Sequence, residues 1–158
     1  LEALQMMVHI VENTEEHLDY DLIMRKAEEQ RMKSTSSALS HATVTTANNL
    51  GAKCIIAPTA SGATARVVSK FKPRTEIIGV TPNEEVMRRM QIYWGVRPLK
   101  SIEFTTTEDV CSGAIDLVVA KQIVETGDVV VLTAGIPSPH FSGQKEGVSN
   151  IMRIAVIQ

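Results

Sequence analysis

The chain has 158 residues, with 44% hydrophobic and 22% charged residues and a formal net charge of -2, the profile of one soluble globular domain with a core of ordinary size. A near-neutral charge argues against nucleic acid held on a broad basic surface. No apolar stretch approaches the ~20 residues of a membrane span, and two distant cysteines give neither a disulfide framework nor a zinc pattern.

LEALQMMVHIVENTEEHL (1–18) spaces Leu4, Met7, Val8, Ile10, Val11 and Leu18 as a helix does. DLIMRKAEEQRMK follows as a more solvated helix anchored by Leu22, Ile23 and Met32. Ser34 to Ser37 supply N-cap candidates for a third helix through Ala38, Leu39, Ala42, Ala47 and Leu50, with Gly51 at the C-cap.

From Lys53 the pattern alternates. KCIIAP predicts a strand, GATARVVSKF a helix, TEIIGVT a strand and NEEVMRRMQIYW a helix capped by Asn83. VRPLKSI is the next strand. A long helix then runs through TTTEDVCSGAIDLVVAKQIVETG, with Thr105 and Glu108 spaced as a capping box and Gly127 as its stop. DVVVLTAG and SNIMRIAVI are the last two strands. Alternating strands and helices predict a three-layer α/β/α fold on a mostly parallel sheet of about five strands. The connection GIPSPHFSGQKEGVS has no helical period, so the last strand is expected to run antiparallel to its neighbour.

The turn Thr59 to Thr64 is the best candidate for chemistry. The first N–H groups of a helix lack partners, and its dipole favours an anion there. Thr59, Ser61 and Thr64 add hydroxyls, and Gly62 admits a close approach to the backbone. These residues read as a phosphate seat or, equally, as a helix capped by Ser61. If the first strand is central and the fourth lies beside it, the turn sits where the winding reverses, the usual ligand position in open α/β sheets.

Lys121 continues the apolar stripe of Val110, Ala114, Leu117 and Val118, either snorkelling or facing an anion. Lys70, Lys72 and Arg74 suit a helix C-terminus. Glu84, Glu85, Arg88 and Arg89 read as a solvated helix face. The four histidines show no metal-ligand spacing, and no acid, base or nucleophile set emerges, so no catalytic residue and no metal site is expected.

IIAPTASGATARVVSKFKPRTEIIGVTPNEEVMRRMQIYWGVRPL (55–99) resembles the C-terminal domain of pyruvate kinase, most closely of the bacterial type. The T-x-S-G turn, the K-x-[KR]-P-[RK] step, the I-x-x-V-T strand with its following Asn, and the aromatic-x-G-[VI]-x-P ending occur in the family's order. GDVVVLTAG and SNIMRI resemble that domain's last strands. Residues 1–18 resemble the helix that ends the catalytic barrel, leaving 19–158 as the α/β domain.

The resemblance implies a cytoplasmic enzyme that transfers the phosphoryl group of phosphoenolpyruvate to ADP with magnesium or manganese and potassium. All of these act in a barrel that this chain lacks. The chain, opening at Leu1, is expected to be a non-catalytic piece of that enzyme, without a cofactor of its own. The resemblance also implies a homo-oligomer, a dimer for this piece and a tetramer for the parent, meeting through roughly 21–50 and 150–157.

By position, Thr59, Ser61, Gly62, Ala63 and Thr64 match an effector-phosphate loop, and Lys121 matches a place where fructose-bisphosphate-regulated members often carry arginine. The stretch from Gly135 to Gly147, with Gly143 and Lys145, matches the effector loop. Two departures stand out. Ala60 and Ala63 replace residues that are more polar in some members, and the loop lacks a Trp-Arg-Pro-Gly stretch. The implied effector is a sugar monophosphate, AMP or fructose 1,6-bisphosphate. A stand-alone phosphometabolite sensor, or a small α/β enzyme acting on a phosphorylated substrate, would use the same turn.

Overall fold

A computed structural model describes residues 1–29, 34–103, 106–135 and 149–158. Three helices come first, α1 (Glu2–Glu16), α2 (Tyr20–Glu29) and α3 (Thr35–Leu50). Then follow β1 (Cys54–Pro58), α4 (Ala63–Ser69), β2 (Glu76–Thr81), α5 (Glu84–Met90) and β3 (Val96–Lys100). The chain continues through α6 (Thr107–Ala120), β4 (Val129–Ala134) and β5 (Ile151–Val156).

The five strands lie in the order β3-β2-β1-β4-β5, all parallel except β5, which runs antiparallel to β4 with Val129 opposite Val156 and Ala134 opposite Ile151. The direct antiparallel pairing of β4 with β5 is the arrangement expected of neighbouring strands that need no crossover between them. The first three strands step outward in one direction. The chain then crosses by α6 to the far side of β1, so the winding reverses between β1 and β4.

Both faces of the sheet are covered, which explains the continuous apolar strands. Side chains alternate across it. Ile55, Ala57, Ile77 and Val131 pack with Val44 and Ala47 of α3, Ala65 and Val68 of α4, and Val86 and Met90 of α5. Cys54, Ile56, Ile78, Val130 and Leu132 pack on the other face with Cys111, Ala114 and Val118 of α6. This is the three-layer α/β/α arrangement. Burial, aided by the nearby carboxylates of Glu76 and Asp128, pushes the Cys54 thiol up to about 12, so this cysteine is a small core side chain.

Local signals set most helix ends. The Ser34 hydroxyl accepts the Ser37 N–H, and Gly51 closes α3 in the left-handed region at φ 58°. The Asn83 side chain accepts from the Glu85 and Val86 N–H groups.

Three expectations are corrected. The capping box of α6 is Thr106 with Asp109, since each side chain accepts the other's N–H at 3.1 Å; Thr105 lies outside the described residues. Gly127 does not stop α6. That helix ends at Ala120 because Gln122 turns left-handed at φ 54°. In α2 it is Met24 that docks on the core, whereas Leu22 is 40% exposed; Met32 lies outside the described residues. No residue of α1 is buried.

Candidate functional site

The turn after β1 lies at the carboxyl edge of the sheet. Thr59 continues the ladder by donating its N–H to Val80 O at 2.8 Å. Its hydroxyl then accepts the Gly62 N–H at 2.9 Å, which curls the chain into a tight side-chain-closed turn. Gly62 is left-handed, at φ 80°, and is itself the N-cap of α4, with no side-chain cap bond. Ser61 therefore does not cap the helix.

A Cβ at Gly62 would stand 3.4 Å from both Met90 Cγ and Val86 Cγ1, so α5 supports the turn from beneath. Arg89 Nη2 donates to Ser61 O at 2.7 Å and fixes the carbonyl from the outside.

These contacts leave donors over. The Arg66 N–H closes the first helical bond, to Gly62 O at 3.0 Å. The N–H groups of Ala63, Thr64 and Ala65 have no acceptor among the described residues. Ala60 and Ser61 are exposed, Ala63 is half-buried and Thr64 is buried. The Thr64 hydroxyl is not a bare surface donor, because it accepts from Ser149 Oγ at 3.1 Å. The Ser149 N–H in turn donates to Ser36 Oγ at 2.9 Å.

Thr59, Ser61, Gly62, Ala63 and Thr64 thus form one turn, at the reversal point between β1 and β4. Extending the register of Ile56 opposite Leu132 places Ala134 opposite Pro58, so Gly135 leaves β4 beside the turn. Gly143, Lys145 and Gly147 lie outside the described residues.

Lys121 does not join this group. It is the exposed C-cap of α6, and residues 121–128 lead into the amino end of β4, where Val130 pairs with Cys54. The turn follows the opposite end of β1, five residues and about 16 Å further on. A helix that links parallel strands must carry the chain back to the amino edge, so its last residue cannot serve a site at the carboxyl edge.

Sequence reading also missed three residues at the turn. Arg89 looked like a solvated face, and Ser36 and Ser149 carry no periodic signal. An open cleft of about 540 Å³, with Tyr20, Arg74, Trp94 and Arg97 among its lining, lies at the amino ends of β2 and β3, away from the turn. Beside it the Lys72 ammonium sits 4.7 Å from the centre of the Trp94 ring, and the Arg74 guanidinium 5.1 Å from that of Tyr20. Among the described residues no cluster of three or more His, Cys, Asp or Glu could hold a metal ion, and no helix is long and apolar enough to cross a membrane.

Residues 37–155 match the family described as "Pyruvate kinase, alpha/beta domain". The chain belongs to the pyruvate kinase α/β-domain family. It is 34% identical to a pyruvate kinase of Clostridium acetobutylicum over 158 residues, all of this chain and 32% of the relative. It is also 34% identical to the Geobacillus stearothermophilus pyruvate kinase over 157 residues, 99% of this chain and 26% of that enzyme. Among solved structures, a Cryptosporidium parvum pyruvate kinase in complex with ADP superposes with a TM-score of 0.75 at 27% identity, over 89% of this chain and 28% of that one. The chain thus spans about a third or less of the pyruvate kinases it matches.

Proposed function

We propose that this chain is the regulatory and assembly domain of a pyruvate kinase, and that it binds a phosphorylated effector at the turn from Thr59 to Thr64. The observation that carries the reading is the set of N–H groups at Ala63, Thr64 and Ala65 that have no partner among the described residues, on a turn supported by Gly62 and Arg89. Convergent backbone donors at a helix start suit a phosphoryl group. Ala60 and Ser61 are exposed, on the side where the rest of a sugar or nucleotide would lie.

The parent reaction, phosphoryl transfer from phosphoenolpyruvate to ADP with its divalent and potassium ions, would belong to the barrel. Residues 1–18 would be the link to that barrel, consistent with exposed Leu4, Met7, Val8, Ile10 and Val11 on α1. Assembly into a homo-oligomer would use α3 and the open edge of β5. There Ile154 is 50% and Val156 60% exposed, on the α3 side of the sheet, and Leu50 at the end of α3 is 47% exposed. An uncovered apolar edge strand is a standing invitation to a second copy. An effector acts on such an assembly only by binding one of its states better than another.

Calorimetric titration tests the effector reading, with fructose 1,6-bisphosphate, ribose 5-phosphate, glucose 6-phosphate, AMP and inorganic phosphate on the wild type and a Ser61→Asp, Ala63→Asp variant. These two positions are preferred to Thr64 because a carboxylate there would enter the core. At least one ligand is expected to bind the wild type. Two carboxylates about 4 Å from a phosphoryl group should weaken that binding by at least about 30-fold, even at the dielectric of water. Equal affinity in the variant, or no binding by any of the five, overturns the assignment.

A further inference from the structure

Three hydroxyls join segments that are remote in sequence. Ser149 Oγ donates to Thr64 Oγ1 across 85 residues of chain, and the Ser149 N–H donates to Ser36 Oγ across 113. Ser149 is 0% and Thr64 2% exposed, so the bond between them is shielded from water, while the bond to half-buried Ser36 is only partly so. The next residue, Asn150, donates its N–H to Ala134 O at 2.9 Å and opens the β4–β5 pairing. Ser149 therefore touches the first turn of α4 and the first turn of α3, and it adjoins the first rung of β5. These are the turn proposed to hold the phosphoryl group and two elements proposed to meet a second subunit.

We infer that Ser149 is the positioning residue of the turn: it sets the Thr64 hydroxyl and makes the geometry of the turn depend on the first turn of α3. Ser149 Oγ lies 3.1 Å from Thr64 Oγ1, and the two hydroxyls share one hydrogen bond. Whichever hydroxyl donates, the bond fixes the Thr64 side chain and leaves its hydroxyl with bonding capacity for an incoming group. In its dry setting the Ser149–Thr64 bond matters more than it would in water. The tie from the Ser149 backbone to Ser36 holds Ser149 in place. Removing either serine hydroxyl leaves a buried partner unsatisfied, and the strain falls on the far end of the relay. The consequence for an effector rests on the reading of the turn given above; the relay itself does not.

Amide hydrogen exchange on the full 158-residue chain tests it. The reporters are the Gly62 and Arg66 amides, bonded to Thr59 Oγ1 and Gly62 O, and the Ser37 and Ala38 amides at the start of α3. Ser36→Ala is expected to speed exchange at Gly62 and Arg66 about five-fold, the size of one net hydrogen bond. Ser149→Ala should do the same, and the double variant no more than Ser149→Ala alone. Ser149→Thr, which keeps the hydroxyl, should restore protection. An effect of Ser36→Ala confined to α3, or additive effects of the two alanines, overturns the relay.

If Ser149→Ala fails to fold, Ser36→Ala alone still decides the matter, because Ser36 is only half-buried. Titration with inorganic phosphate separates the two claims. Wild type that binds phosphate should lose about five-fold in Ser149→Ala, and unchanged affinity removes the positioning role. Wild type that binds neither phosphate nor any of the other four ligands overturns the effector reading, while the exchange data still decide the relay.

Discussion

Gly79 sits in the middle of β2 between Ala57 and Pro98, where any side chain must enter the layer under α5. A Cβ there would stand 2.8 Å from Met90 Sδ and 3.2 Å from both Met90 Cε and Val96 Cγ1. Met90 is fully buried, so its thioether cannot swing into solvent to make way. Forcing an extra carbon into a packed core costs about 1–3 kcal/mol. Against this, alanine restricts the unfolded chain by about 0.4–1 kcal/mol, and Gly79 has no left-handed φ to forbid it.

Gly79→Ala should therefore destabilise by about 1–2 kcal/mol, a fall in Tm of about 2–8 °C for a chain of this size. Met90→Ala alone should cost about 2–5 kcal/mol through the cavity it leaves. In that background the new methyl has room, and Gly79→Ala should become neutral or slightly stabilising. Urea denaturation of the four proteins at constant m-value reads the cycle. An equal cost of Gly79→Ala in both backgrounds would show that Met90 is not what the methyl meets. The same side chain lies 3.4 Å from the Cβ position of Gly62, so Met90 links the centre of the sheet to the candidate site.

Two other predictions follow from burial and exposure. Because the folded state raises the Cys54 thiol from its ordinary 9.0 to about 12, the folded chain holds that proton where the unfolded chain releases it. The resulting stabilisation is complete below pH 9.0 and is lost as pH rises towards about 12. Wild type should lose stability more steeply than Cys54→Ala between these values; parallel curves in urea titrations would refute the assignment. Lysine at both Ile154 and Val156 should convert a wild-type dimer to monomer in sedimentation equilibrium, and a monomeric wild type would refute assembly through the β5 edge.

Much of this protein is legible in its sequence, because the deciding interactions are local. A continuous apolar strand such as Cys54–Pro58 must be covered on both faces, and Ser34, Gly51 and Asn83 mark helix ends through bonds to residues at most four away. The antiparallel β5 was expected for a related reason: with no helical period between β4 and β5, no crossover could be built. The turn at Thr59–Thr64 was equally visible, as small hydroxyl residues between a strand and a helix.

What tertiary structure decided is which end of the sheet each residue occupies and who meets whom across long stretches of chain. Periodicity placed Lys121 on the line of an apolar helix face but was silent about position along the axis, and the return path of α6 carries it to the wrong edge. The bonds of Arg89 to Ser61, Ser149 to Thr64 and Ser149 to Ser36 close over 28, 85 and 113 residues. A hydrogen bond formed at such separation leaves no repeat in either segment, since each partner is chosen by the packing of elements that the other segment does not encode.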